Sequence, residues 1–113
     1  MTTSPPVICE RLFQQVTPDG EAKRFRVAWM QPVARENDWV CEYVIEWPDG
    51  PRRARRIFGV DSVQALLLAM KVAAGELYDA DPQVFWWDPD DVLDLPILDG
   101  VADLEAARTK GRG

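Results

Sequence analysis

Apolar and polar residues follow a period of two over the first half of the chain and a helical period over Gly59 to Tyr78. Val7 to Val16 reads as a first strand. Thr17, Pro18, Asp19 and Gly20 supply the turn that folds it back, proline being pre-set for an early turn position and glycine free to take positive φ. In Glu21 to Val33 the alternation sets Phe25, Val27 and Trp29 on one side and Arg24, Arg26 and Ala28 on the other, so the first set is the expected core face. Pro32 and the polar run Arg35, Glu36, Asn37, Asp38 end that strand. Trp39 to Trp47 carries the strongest alternation, Trp39, Cys41, Tyr43, Ile45 and Trp47 against Val40, Glu42, Val44 and Glu46, which is the pattern of a central strand. Pro48, Asp49, Gly50 and Pro51 turn it into a fourth strand, Arg52 to Phe58. With all four residues in the loop, Trp47 pairs with Arg52. Arg53 and Arg55 then lie outside opposite Glu46 and Val44, and Ala54 and Phe58 lie inside over Ile45 and Cys41. A three-residue loop shifts the pairing by one and exchanges the two faces.

The helical stretch opens with Asp61 as N-cap, its carboxylate accepting backbone N–H groups of the first turn, and Gln64 three residues on can reach back as in a capping box. At about 100° per residue, Val63, Leu66, Leu67, Met70, Ala73, Ala74 and Leu77 fall on one broad face, the expected core side. The opposite side carries Gln64, Lys71 and Gly75 but also Leu68 and Val72, and these two apolar residues need a cover. After the helix, Gln83 to Trp87 reads as a short strand bounded by Pro82 and Pro89, adding to a sheet edge. Leu95, Pro96, Ile97 and Leu98 form an apolar plug suited to cover Leu68 and Val72, unless a second molecule does so. Val101 to Arg108 supplies a terminal helical turn or two.

These elements predict one α+β domain over 1–113: a four-stranded antiparallel sheet of two hairpins with one long helix packed on one face, a short fifth strand and a C-terminal extension. Residues 1–6 are expected to be a flexible leader, 7–58 the strands, 61–78 the helix, 83–107 an acidic aromatic segment, and 108–113 a flexible tail.

Charge changes this picture. The net charge is −6, yet Met1 to Gly75 holds ten Lys/Arg against nine Asp/Glu, whereas Glu76 to Ala107 holds ten acidic residues and no basic one. That asymmetry speaks to partners and solubility rather than to fold. The opening MTTSPPVICERLF has no basic stretch followed by an apolar run, and no segment approaches the roughly 18 apolar residues that span a bilayer, so the expectation is cytoplasmic, with no membrane partner. Cys9 and Cys41 are the only cysteines and are expected to be reduced packing residues.

Chemistry is narrowed by elimination. There is no histidine, the commonest general base and metal ligand, and two cysteines alone do not make a structural zinc site. Ser4 and Ser62 have no evident base, and no glycine-rich phosphate loop occurs. No cofactor is expected. The remaining enzymatic option is the loop of Asp88, Asp90, Asp91 and Asp94 beside Trp86 and Trp87, which places carboxylates near an aromatic platform or gathers oxygen ligands for Ca²⁺ or Mg²⁺, although its spacing is not that of an EF-hand. Arg52, Arg53, Arg55 and Arg56, with Arg24 and Arg26, suggest nucleic acid, but Glu42 and Glu46 stand ready to pair with Arg53 and Arg55 and the chain is acidic, so a salt-laced sheet face is expected instead.

Trp29, Trp39 and Trp47 are in phase with core positions, whereas the adjacent Trp86 and Trp87 are sent by a strand to opposite faces, leaving one exposed. An exposed tryptophan beside aspartates has the make-up of an interface anchor with a charged rim. The expected function is accordingly a non-enzymatic interaction domain that binds a basic protein, much as immunity-type proteins neutralise basic toxins, with Trp86, Trp87, Asp88, Asp90, Asp91, Leu68 and Val72 as the candidate contact residues. The alternative is a carboxylate-dependent enzyme or metal site at Asp88 to Asp94. A homodimer through the outer helix face or a strand edge is a further expectation.

The opening ICERLF, the strand DWVCEYVIEW, the junction GVDSVQALLLAM and an aromatic pair followed by DLP together resemble a family of small bacterial proteins known only as a domain of unknown function. The resemblance covers most of the chain and is most specific at Gly59, Asp61, Gln64, Ala65 and Leu66. It implies a compact α+β domain, usually a free-standing small protein, and brings no activity and no catalytic residue with it.

Overall fold

The structure is a computed structural model that describes residues 4–50 and 53–111. The strands are β1 (Val7–Val16), β2 (Ala22–Met30), β3 (Val33–Ala34), β4 (Trp39–Ile45), β5 (Arg53–Gly59) and β6 (Val84–Phe85), and the helices are α1 (Ser62–Tyr78) and α2 (Ala102–Gly111), the latter entered through a 3₁₀ turn at Asp99–Val101. All pairings are antiparallel. β1 lies between β2 and β6, β4 between β2 and β5, and β3 continues the β2 edge along β4. The two expected hairpins are present. The sheet gains β6 beside β1, where Gln14 faces Phe85 and Gln15 faces Val84, and β3 as a separate strand. Pro32 has no N–H to give to the ladder, so β2 stops before it. β3 resumes out of step by one residue, Val33 standing opposite Val40 where Trp29 stands opposite Tyr43. Among the described residues no helix is long and apolar enough to cross a membrane.

The β1–β2 turn is closed by Thr17 N–H to Glu21 O and Gly20 N–H to Thr17 O, both 2.8 Å, with Gly20 at φ +84°. The β4–β5 pairing differs from the four-residue-loop expectation by one position: Ile45 faces Arg53, Val44 Ala54, Tyr43 Arg55, Glu42 Arg56 and Cys41 Ile57. Since side chains alternate with period two, that single step exchanges the faces. Arg55 now shares the helix side with Tyr43, while Ala54 and Phe58 are exposed on the open side. The expected pairing of Trp47 with Arg52, and the outermost ends of the expected leader and tail, lie outside the described residues.

One core joins the helix side of the sheet to α1 and the C-terminal segment, with Phe13, Phe25, Val27, Trp29, Cys41, Tyr43, Ile45 and Leu93 fully or nearly buried. α1 starts as its sequence predicts: Asp61 Oδ1 accepts the Gln64 N–H at 2.8 Å, and Gln64 Oε1 reaches back to the Val60 N–H at 2.8 Å. Its packing face overlaps the expected one, with Ala73, Ala74 and Leu77 buried and Leu66 and Met70 half-buried, but is rotated away from Val63 and Leu67. Ala65, Ala69 and Ala73 are buried toward β4 and β5, with Leu66, Met70 and Val72 half-buried beside them, whereas Val63 and Leu67 are exposed. Apolar residues occur all round α1, so periodicity alone leaves its phase open, and proximity to the sheet selects the small residues. At Gly59 an added Cβ lies 2.5 Å from the Ala65 backbone nitrogen and 2.8 Å from its Cα. The strand end and the first helical turn are therefore in direct backbone contact, and alanine occupies the helix position nearest to it, Ala65.

The Gly59 contact yields a direct test. Gly59→Ala drives a methyl group into backbone that cannot yield as a side chain does, and is expected to destabilise the fold by about 1–3 kcal/mol in urea denaturation, whereas Gly50→Ala, whose nearest atom is the Trp47 Cβ at 3.5 Å, lacks that clash.

Candidate functional site

Three acidic residues, Glu76, Asp79 and Asp81, collect at the C-terminal end of α1. A cleft of about 540 Å³ opens there between the β4–β5 turn, contributing Trp47 and Asp49, and the end of α1 with its following loop, contributing Glu76, Asp79 and Asp81. Gln15 lies in its wall and is held by a hydrogen bond from its Nε2 to Pro82 O at 2.7 Å. Trp47 is fixed by stacking on Phe25, centroid to centroid 5.4 Å at 24°. The described lining includes no basic residue. Asp79 and Asp81 are exposed and have no ion-pair partner among the described residues.

Glu76 is different, because both its oxygens are engaged: the buried Tyr43 hydroxyl donates to Oε2, and Arg55 Nη1 lies 3.2 Å from Oε1. Arg55 reaches α1 only because of the one-residue register step. Burial, reinforced by the hydrogen bond to Glu76, pushes the Tyr43 phenol well above its ordinary value. The nearby charges of Tyr43 and Glu76, in turn, hold Arg55 more firmly protonated. This triad ties β4 and β5 to α1 and positions one wall of the cleft.

On the other side of the β1–β6 edge, Trp86 and Trp87 stack on one another at 5.7 Å and 29°. The expected opposite orientation fails because the strand stops at Phe85 and the chain turns. Trp86 is half-buried beneath the Arg11 guanidinium, 4.0 Å from its ring centre, and its carbonyl accepts from Gln14 Nε2 at 3.1 Å. Trp87 is 70% exposed. With Leu12, Gln14 and Arg24 the two indoles border a groove of about 260 Å³.

Asp88 and Asp90 are exposed, but the Asp91 carboxylate accepts the backbone N–H groups of Trp87 and Asp88 at 2.9 and 2.8 Å, bracing the loop that presents Trp87. Among the described residues no three of His, Cys, Asp and Glu converge to hold a metal ion. Val72 packs half-buried against the core and Leu68 is half-buried, so both have within the chain part of the cover that they need. The chain's own C-terminal segment folds back on α1: Leu93 N–H donates to the Tyr78 hydroxyl at 2.7 Å, that hydroxyl donates to Glu105 Oε2 at 3.0 Å, and Val101 lies against Gly75. Asp79 stands some thirty residues beyond Trp47 and Asp49 in sequence, so the cleft has no local signal in the chain.

Three of the sheet arginines have acidic partners, though not all the expected ones. Arg26 bonds Glu10 and Glu46, Arg56 lies 3.7 Å from Glu42, and Arg55 takes Glu76. Cys9 and Cys41 are free thiols. Burial pushes the Cys41 thiol up from 9.0 to about 11, with smaller contributions from Cys9 and Glu42, and its Sγ donates to Met30 O at 3.3 Å.

These shifts set the sign of an alkaline response. From about pH 9 the unfolded chain loses the Cys41 proton that the folded chain keeps to about 11, and from about pH 10 the same holds for Tyr43, so stability falls as pH rises across this range. Urea titrations at pH 7 to 11 are expected to show that decline. Cys41→Ala flattens its lower part and Tyr43→Phe its upper part, the latter also costing about 1 kcal/mol at neutral pH for the lost hydrogen bond.

A comparison with curated proteins gave no match, and a comparison with solved structures gave none. A family model described as "Domain of unknown function (DUF6968)" matches residues 9–97, which takes in the sheet from the third residue of β1 onward, α1 and the tryptophan loop. The chain belongs to that domain family.

Proposed function

We propose that this protein is a non-enzymatic interaction domain that binds a basic protein partner through the acidic, aromatic surface at the end of α1 and along the segment that follows. The observation that carries this reading is the pairing of an indole that is 70% exposed, Trp87, with exposed carboxylates at Asp79, Asp81, Asp88 and Asp90 that have no ion-pair partner among the described residues. Arg26, Arg55 and Arg56 of the sheet, by contrast, are engaged within the fold. An exposed aromatic residue supplies apolar area at low entropic cost, and unpaired carboxylates on the same acidic segment favour a positively charged partner and accelerate its approach. Asp91 serves this surface indirectly, by holding the Trp87 loop in shape.

The cleft between Asp49 and Asp81 extends the acidic surface and gives it depth, with Trp47 as an apolar wall. This enlarges the contact region beyond the residues visible in the local sequence. A metal-dependent reading of Asp88 to Asp94 gains no support from the geometry, since Asp91 is turned to the backbone.

Affinity capture with the intact chain, repeated at increasing salt, provides the test. A basic protein is expected to be retained at low salt and released as salt rises. Replacing Asp88 and Asp90 by Asn together with Trp87→Ala is expected to reduce capture at least tenfold, or about 1.4 kcal/mol. Capture that is indifferent to salt and to these substitutions removes the proposal.

A further inference from the structure

Gln15 is a buried polar side chain whose hydrogen bonding the fold leaves incomplete. It is 8% exposed and lies in the wall of the cleft between the β4–β5 turn and the end of α1. Only the amide nitrogen can donate to a carbonyl, so the bond from Nε2 to Pro82 O at 2.7 Å fixes which way the amide lies. The oxygen of the same amide accepts no hydrogen bond from the described residues and stays open to solvent, on the cleft that Gln15 lines. A buried acceptor held in place without a donor is completed by a donor that enters the cleft.

We infer that this donor is a guanidinium: the cleft seats an arginine side chain of the basic partner, with Gln15 Oε1 and the carboxylates of Asp49, Asp79 and Asp81 as its acceptors. This rests on the reading that the acidic surface meets a basic protein. Asp49, Asp79 and Asp81 are exposed, have no ion-pair partner among the described residues and share a lining in which no described residue is basic, so the cleft carries unbalanced negative charge. Among the described residues no three acidic groups converge on a point that a metal ion could occupy. Acceptors spread in this way suit a cation whose donors are spread as well. A guanidinium carries five N–H groups in a rigid plane, whereas an ammonium is a compact charge with three.

The aromatic wall makes the same choice. Phe25 stacks on Trp47 at 5.4 Å and holds the indole in place where it lines the cleft. A planar cation lies flat against such a ring and keeps its edge free to donate. The volume of about 540 Å³ admits a whole side chain. Glu76 serves as wall rather than acceptor, because its oxygens are already committed to Tyr43 and Arg55.

The test is a magnetic resonance titration of the intact, isotopically labelled chain with N-acetyl-arginine amide and with N-acetyl-lysine amide, which carry the same charge. The arginine compound is expected to shift the Trp47 indole N–H and the Gln15 side-chain amide, with a dissociation constant on the order of 1–10 mM. The lysine compound is expected to bind about threefold more weakly or worse. Asp79→Asn with Asp81→Asn weakens arginine binding about fivefold, while Asp99→Asn with Asp103→Asn, exposed acids outside the cleft, leaves it unchanged. Shifts at Trp87 in place of Trp47, equal affinity for the two compounds, indifference to the Asp79 and Asp81 substitutions, or no binding up to about 50 mM each overturn the inference. No partner protein takes part, so a chain that captures a basic protein yet ignores free arginine loses this inference and keeps the wider reading. Arginine bound in the cleft of a chain that captures no protein supports the guanidinium seat and overturns the partner.

Discussion

The missing side chain at Gly59 governs how closely α1 approaches the sheet, and much else follows from that distance. β5 passes into the helix with the Ala65 backbone where a methyl group of residue 59 would lie. A helix held this near its sheet favours small residues on the central line of its first turns, where Ala65, Ala69 and Ala73 are buried, and the larger Leu77 is buried on that line only at the far end. The larger Leu66 and Met70 are displaced to the flank, and Val63 and Leu67 are turned outward. The same constraint creates an apolar stripe on the far side of α1, which the C-terminal segment covers over its last turns.

Polar groups secure what the close approach arranges. Tyr43, Glu76 and Arg55 link two strands to the helix, with the phenol donating to a carboxylate that also holds a guanidinium. Arg11 performs a similar task at the opposite edge, donating to the carbonyls of Leu93 and Asp94 while lying over Trp86. Gln14 and Gln15, neighbours on β1 with side chains on opposite faces, bond Trp86 and Pro82 and so hold the β6 region from both sides. The loop carrying Trp87 is thus anchored around its base, and an anchored aromatic residue loses less entropy on binding than a mobile one.

The charges divide by place. On the sheet, Arg26, Arg55 and Arg56 face Glu10, Glu46, Glu76 and Glu42, so these three arginines are spent on internal pairs. At the end of α1 the balance reverses, with Asp79, Asp81, Asp88 and Asp90 exposed and unpaired among the described residues. Such a surface gains by meeting a positive one, whereas the alternating pairs of the sheet are already near neutrality.

Much of this was legible in the residues alone. The alternation in β2 and β4 placed Phe25, Val27, Trp29, Cys41, Tyr43 and Ile45 correctly in the core. Turn chemistry located the first hairpin, and Asp61 with Gln64 marked the start of α1. These features are local: side-chain alternation, proline and glycine geometry and capping act within a few residues, and the chain carries them wherever it goes. Three matters were decided only by tertiary contact. The β4–β5 register turned on one residue of loop length, which determined that Arg55 serves the helix. The rotation of α1 was ambiguous because apolar residues surround it, and the space left by Gly59 resolved it. The cleft joined Asp49 to Asp79 and Asp81 across a separation that no local pattern spans. The sequence by itself determined which elements form and which of their faces are apolar; the close packing of helix on sheet, a property of distance between backbones, decided which apolar residues are buried and which carboxylates meet.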